Sequence, residues 1–341
     1  MLNVFSDDIA IDLGTVNTLV HVKGRGVVVD EPSVVAVRSR AGVREVLAVG
    51  SRALEILGRT PENVETIWPM RDGVIADFVA TEEMLRRFIK TTKSRFGFRR
   101  PRILICVPAG ATPVERRAVY ETAVSAGSRK VYLIEEPVAA ALGCELPIDG
   151  PAGSMVVDIG GGTTDVAVLS LGGVLQARSL RCAGNAMDEA IIRFIRREYG
   201  LLIGESNAER IKIEAGSALI NDHDRHVEIH IRGRGMKNRR PKSLVLGPSD
   251  IAQALEGPVS DMADFFQRVL DDLPGEVFLD IRDKGIALTG GGACLSGLDV
   301  ALERLVDVKF HIPQEPTRCV VRGSAQVLDE LDYREHLLIR G

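Results

Sequence analysis

One stretch of this chain occurs twice. Asp12-Leu13-Gly14-Thr15-Val16-Asn17-Thr18-Leu19-Val20-His21-Val22 aligns without gaps on Asp158-Ile159-Gly160-Gly161-Gly162-Thr163-Thr164-Asp165-Val166-Ala167-Val168, at a spacing of 146 residues. Both copies carry Asp, an aliphatic residue and Gly, then Thr six positions after the Asp, then Val-x-Val. Each follows an apolar run, Ile9-Ala10-Ile11 or Met155-Val156-Val157. Apolar, β-rich runs around a Gly/Thr/Asn cluster predict a β-hairpin with a tight turn. Two such hairpins in 341 residues predict two related halves facing each other across a cleft, and the length alone suggests roughly two domains.

The turn chemistry suits a phosphate. Glycines let the backbone approach a bulky anion, while successive N–H groups and Thr hydroxyls supply donors. Asp12 and Asp158, at the strand ends, are expected to place two carboxylates near one point. Carboxylates repel phosphate, so the pair makes most sense with Mg²⁺ held through water. A third cluster, Gly290-Gly291-Gly292-Ala293, follows the strand-like Gly285-Ile286-Ala287-Leu288-Thr289. Leu295, Leu298, Leu302 and Leu305 then predict a helix. Strand, triple Gly and helix is how a backbone meets a ligand at a helix N-terminus, though a plain turn has the same composition. P-loop and dinucleotide glycine signatures are both missing.

Composition removes several other classes. Hydrophobic residues at 45% and charged residues at 26% are ordinary for a soluble globular protein. A net charge of −4 argues against generic nucleic-acid binding. Cys106, Cys144, Cys182, Cys294 and Cys319 are scattered, which reads as reduced, mostly buried thiols of a cytosolic protein. Met1-Leu2-Asn3-Val4-Phe5 has neither the basic nor the apolar region of a signal peptide. No apolar run approaches the ~18 residues of a spanning helix, so any membrane contact is expected to be peripheral.

Local signals alternate strand and helix, which predicts an α/β fold. Residues 9–38 read as strands, and 81–94 as a helix with Met84, Leu85, Phe88 and Ile89 on one face. Ile103–Pro108 reads as a buried strand and Val131–Ile134 as the next strand. Between them Thr112, Pro113 and Glu115 spell a capping box for a helix that stops at Gly127, and Pro137 opens another helix. Residues 225–242 alternate and then turn basic, which predicts a solvated hairpin whose outer face carries His226, Glu228 and His230 rather than a metal site. Ile251–Leu273 keeps helical spacing, with Pro258 expected to kink or break it. Glu136 ends a strand where a carboxylate can face a cleft or serve the helix dipole; Glu135 reads as structural. Glu209 and Lys212, three apart on one helical face, read on spacing alone as a surface ion pair.

Two phosphate hairpins and a later Gly-Gly-Gly resemble the actin, sugar-kinase and heat-shock-chaperone ATPase superfamily. Within it the chain resembles the bacterial MreB family nearly end to end. The resemblance runs through Gly73–Phe78, Val114–Ala118, Ile134–Ala141, Met187–Ile192, Leu201–Glu205 and Ala208–Lys212. It implies an actin-like ATPase fold: two halves, each with a mixed sheet and flanking helices, nucleotide in the cleft, and two chain crossings near 149 and 319. The implied subdomains are IA (1–32, 75–149 and 320–341), IB (33–74), IIA (150–180 and 246–319) and IIB (181–245).

The same resemblance implies ATP or GTP with Mg²⁺. Phosphates and nucleoside would meet Gly14, Thr15, Val16, Asn17, Gly160, Gly161, Gly162, Thr163, Thr164, Gly290, Gly291, Gly292 and Ala293. Glu209, Arg210, Ile211 and Lys212 would contact ribose and base, Asp12 and Asp158 would hold the metal's water, and Glu136 would position the attacking water beside Asp158 and Thr163. The implied protein is a filament that organises wall synthesis and rod shape from the inner face of the cytoplasmic membrane. Its implied partners are itself, the membrane and the wall-elongation machinery, with no nucleic acid. A filament that positions organelles or plasmids, and a small-molecule kinase, are the alternatives. Phe96 and Phe98, within a run of eight basic residues from Arg86 to Arg102, are the expected membrane contacts. Three positions depart from the family pattern: Asp165 where Glu is usual, Asn185 where Asp is usual, and Arg322 where a small residue is common. The stretch Leu305–Lys309 is also shortened.

Overall fold

Both repeated segments fold as neighbouring strands joined by a short turn. The computed structural model describes residues 8–40, 43–57, 61–92, 100–219, 228–237 and 239–339. First come β1 (Ile9–Leu13), β2 (Asn17–Val22), β3 (Gly26–Pro32), β4 (Val35–Arg40) and β5 (Val43–Val49). Helix α1 (Ser51–Leu54) and the strands β6 (Val64–Ile67), β7 (Met70–Arg71) and β8 (Val74–Ile75) lead to α2 (Phe78–Thr92). Then follow β9 (Arg102–Val107), α3 (Pro113–Ser125), β10 (Lys130–Glu135) and α4 (Glu136–Gly143). The second repeat lies in β11 (Ser154–Ile159) and β12 (Thr164–Ser170), followed by β13 (Gly173–Leu180) and α5 (Gly184–Tyr199). After β14 (Leu201–Leu202) and α6 (Glu205–Ala215) come β15 (Ile229–Gly235), β16 (Pro241–Leu246), α7 (Pro248–Asp271) and α8 (Gly275–Lys284). The last elements are β17 (Ile286–Thr289), α9 (Leu298–Val306), β18 (Phe310–His311), α10 (Cys319–Asp329) and α11 (Leu331–Arg334).

The repeat extends to topology. One five-stranded sheet has the order β10-β9-β1-β2-β3, the other β13-β12-β11-β17-β18. Each is a repeat hairpin plus its next strand on one side, and two later strands on the other. In both, the first hairpin strand runs parallel to its later neighbour, and that strand runs parallel to the next. Smaller sheets join β5-β4-β6 and β14-β15-β16.

Contacts divide the chain into two compact units. The first holds Met1–Pro151, Asp165–Ser179 and Thr317–Gly341, the second Ala152–Thr164 and Leu180–Pro316. In the first, Ile9, Ile11, Ile103 and Ile105 pack with Met84, Leu85, Phe88 and Ile89, the face expected of α2. That helix starts three residues earlier than expected, because the Asp77 carboxylate accepts the Ala80 N–H at 3.0 Å and serves as its cap. The capping box of α3 forms in full: Glu115 N–H donates to Thr112 Oγ1 and Thr112 N–H to Glu115 Oε2, at 3.3 and 2.7 Å.

Helices α4 and α10 approach backbone to backbone. A Cβ placed on Gly323 would lie 1.8 Å from the Ala139 carbonyl oxygen, and one on Gly143 would lie 1.9 Å from that of Cys319. The buried Ala139-Ala140-Ala141 run makes the crossing possible. Arg322 belongs to the same crossing, since its guanidinium donates to the carbonyl of Gly143 at the end of α4. Gly323→Ala should therefore force the helices apart and destabilise the protein by about 3 kcal/mol, the upper range for overpacking. Denaturant unfolding at the wild-type midpoint would remove this account of the crossing.

Two expectations for the second unit need correction. Pro258 does not break its helix, for α7 runs unbroken through it with Ala254, Leu255, Val259, Met262, Phe266 and Leu270 buried. Gly257 precedes the proline and has no Cβ to clash with the ring, so the helical conformation stays open to it. The Leu295–Leu305 helix is shorter than its spacing suggests. A 3-10 turn spans Gly291–Cys294, α9 begins only at Leu298, and Leu305 is exposed. The basic segment forms the hairpin β15–β16, with Ile229 and Ile231 inward and Arg232 and Arg234 outward. Glu228 and His230 are exposed as expected, whereas His226 lies outside the described residues.

Candidate nucleotide site

The first unit presents one set of expected site residues. Asp12 is the penultimate residue of β1, and the turn Gly14-Thr15-Val16 joins it to β2. Gly14 is obligatory, since a Cβ there would meet the Asn17 carbonyl oxygen at 2.5 Å. Hydrogen bonds from Ser33 fix the turn: its N–H donates to Val16 O at 2.7 Å and its Oγ to Gly14 O at 2.7 Å. The Thr15 hydroxyl accepts the Gly73 N–H at 2.9 Å and keeps its own proton to donate. Burial pushes the Asp12 carboxyl up to about 7.

Glu136 is the first residue of α4 and is buried, directly after β10. Its neighbour Glu135 accepts from Arg116 Nη2 at 3.2 Å, which bears out a structural part for Glu135. Burial raises the Glu135 carboxyl, Arg116 draws it back, and Asp165 pushes it up again. Asp165 is wholly buried, and its Oδ1 accepts the Ala109 N–H at 2.9 Å.

The second unit presents a matching set. Asp158 is the penultimate residue of β11, as Asp12 is of β1. The turn closes with Gly160 N–H donating to Thr163 O at 2.9 Å, while Gly162, Thr163 and Thr164 are buried. The sixth-position threonines act alike: Thr18 Oγ1 lies 2.8 Å from Ser33 Oγ, and Thr164 Oγ1 donates to Cys182 O at 2.7 Å. Both tie a hairpin to the next segment.

The start of α5 sits against this turn, with Gly184 and Asn185 N–H donating to Gly160 and Gly161 carbonyls at 3.1 and 2.8 Å. On α6, Glu209 and Lys212 are half-buried. Ile211 lies wholly in the core and Arg210 pairs with Glu214, so the side chains of these two are committed elsewhere. The triple glycine divides its work. Side chains on Gly290 and Gly292 would strike Ile159, at 2.4 Å from its O and 2.2 Å from its Cγ2, whereas Gly291 faces open space. Two of the three glycines seat the segment on the end of β11, and Ala293 is buried behind them.

The family described as MreB/Mbl protein matches residues 6–336. The chain belongs to the MreB/Mbl family. It is 50% identical over 332 residues to the cell shape-determining protein MreB of Escherichia coli (strain K12), covering 96% of this chain and 95% of that one. It is 45% identical over 329 residues to the cell shape-determining protein Mbl of Bacillus subtilis (strain 168), covering 96% and 98%. The crystal structure of MreB5 of Spiroplasma citri bound to AMPPNP superposes with a TM-score of 0.89 at 32% identity, covering 96% and 97%. A MamK double helical filament shares the fold, with a TM-score of 0.79 at 20% identity, covering 95% and 99%. The actin-like fold expected from the hairpins is thus the fold of this MreB/Mbl chain.

Two departures from the MreB pattern find a local use. Asp165 spends its shorter side chain on the Ala109 amide, and Arg322 caps α4. Other residues escaped sequence reasoning. Nothing local pairs Asp188 with Lys212, yet Lys212 Nζ lies 2.8 Å from Asp188 Oδ2. Phe96 and Phe98 lie outside the described residues. The basic run around them is partly neutralised: Arg86 pairs with Glu82 and Glu83, Arg87 with Glu83, and Arg102 with Asp8. No helix among the described residues is long and apolar enough to cross a membrane, and none of their acidic, His and Cys side chains cluster as a metal site.

Proposed function

We propose that this chain binds MgATP, hydrolyses it slowly, and polymerises into membrane-associated filaments that organise cell-wall synthesis and rod shape. The observation that carries the reading is the duplicated hairpin, Asp12 with Thr18 and Asp158 with Thr164, in a member of the MreB/Mbl family. Relatives with the same fold are described as bound to AMPPNP and to ADP. Backbone N–H groups of the two glycine turns cradle the phosphates, and Glu209 and Lys212 take the ribose and base. Gly291, facing open space, leaves room for the nucleoside. Glu136 orients and polarises the water that attacks the γ-phosphate, and the fixed donors of Thr163 and its turn hold the phosphoryl oxygens. Asp12 and Asp158 would hold Mg²⁺ through its water; a half-buried carboxyl that desolvation raises to about 7 is one that a nearby cation would return to its charged form. When bound, that ion neutralises charge on the phosphates.

Sedimentation tests the reading. With MgATP and anionic vesicles the purified protein should pellet with the vesicles above a threshold concentration, and release phosphate without passing it to any of a panel of sugars. Protein that stays in the supernatant at every concentration, or sugar phosphorylation, would overturn it.

A further inference from the structure

Lys212 does more than face a ligand. Its Nζ donates at 2.8 Å to Asp188 Oδ2 and at 2.9 Å to the carbonyl of Gly184. Gly184 and Asp188 are one helical turn apart on α5, so a single ammonium on α6 grips both. Gly184 in turn rests on the phosphate turn: its N–H bonds the Gly160 carbonyl, and a side chain there would press on Gly160 O at 3.3 Å and Lys212 Nζ at 3.4 Å. The two charged side chains are only 11% and 16% exposed, so water screens the pair weakly. An ammonium has three donors, and two are used here.

We infer that Asp188 is a positioning residue of the nucleotide site: it pins Lys212 to Gly184 and thereby ties the nucleoside-facing side of α6 to the Gly160–Gly161 phosphate turn. The third Lys212 N–H is left for the ligand, and the two ends of the nucleotide are read by one connected element. Without the carboxylate, Lys212 loses its fixed rotamer and the phosphate turn loses its brace. Binding then weakens, while the water-positioning groups of the first unit are untouched. The inference rests on the reading of α6 as a nucleotide contact.

The charged groups facing Asp188 are Lys212, Glu209 and Glu205, all on α6. Burial raises Asp188 to about 6, Lys212 pulls it down, and the two glutamates push it up. The brace is therefore intact above about pH 6 and loosens as the carboxylate takes up its proton below that.

MgATP affinity measured for the wild type, Asp188→Asn, Lys212→Met and the double variant tests this. Each single variant should bind about tenfold more weakly, and the double variant no more weakly than Lys212→Met alone, because both remove one coupled interaction. For Asp188→Asn, KM should rise about tenfold while kcat changes less than twofold. Wild-type affinity in Asp188→Asn, or a full hundredfold loss in the double variant, would overturn the brace while leaving Lys212 as a contact. Lys212→Met at wild-type affinity would remove the α6 reading, and the brace with it. Should Asp188→Asn fail to fold, the pH profile decides. The wild type should lose affinity about pH 6 relative to Lys212→Met, in which the Asp12 titration persists but the brace is gone; identical profiles would overturn the proposal.

Discussion

Glu136→Ala should bind MgATP about as tightly as the wild type and hydrolyse it at least about a hundredfold more slowly, the usual loss when a general base is removed. The expectation follows from where the residue sits. Glu136 begins α4 at the end of β10, buried, with its structural neighbour Glu135 already engaged by Arg116. A group that acts on the attacking water contributes in the transition state and little to ground-state binding, so kcat falls and nucleotide affinity holds. Filaments of the variant should form with MgATP and persist. Phosphate release under single-turnover conditions, beside nucleotide titration, separates the two quantities. Hydrolysis at the parent rate would make Glu136 a helix-terminal residue only.

Asp12→Asn should act in opposite directions with and without ligand. In the free protein burial holds the Asp12 carboxyl up to about 7, against an ordinary value of 3.8. The folded state therefore binds this proton more tightly than the unfolded chain. Ionisation costs nothing below the ordinary value, costs progressively more between the two values, and costs its full amount above about pH 7. Asparagine carries no charge, so the free variant should melt a few degrees above the wild type at pH 8 and level with it at pH 4. With MgATP the order reverses. Ligand at about a hundred times its Kd stabilises a binding-competent protein by about 2.7 kcal/mol. Asp12→Asn, lacking one of the two carboxylates proposed to hold the metal's water, should lose most of that gain. Thermal melting at pH 4 and pH 8, with and without MgATP, reads all four states. An equal gain in variant and wild type would remove Asp12 from the metal site.

The hairpins, the capping box of α3 and the buried face of α7 were legible because each depends on neighbours in sequence. Asp12 and Asp158 fall one residue before the ends of their strands because alternation and glycine set the strand and the turn together. Thr112 and Glu115 close their box within one helical turn. The 146-residue repeat carried this local reading to the whole fold, for two copies of one hairpin produced two sheets of one order.

Tertiary structure decided what depends on residues far apart in the chain. Pro258 signals a break, but α7 continues through it and buries Val259, Met262 and Phe266, and Gly257 spares the ring a clash with a preceding Cβ. The triple glycine reads as one ligand loop, yet Gly290 and Gly292 are required by Ile159, so only the middle one is open. Glu209 and Lys212 share a helical face, but the partner of Lys212 is Asp188 on another helix. Spacing can place a charge on a face; which opposite charge is brought to 2.8 Å depends on how α5 and α6 pack. Local backbone preference is written residue by residue, whereas close approach and desolvation arise only when distant segments exclude water together.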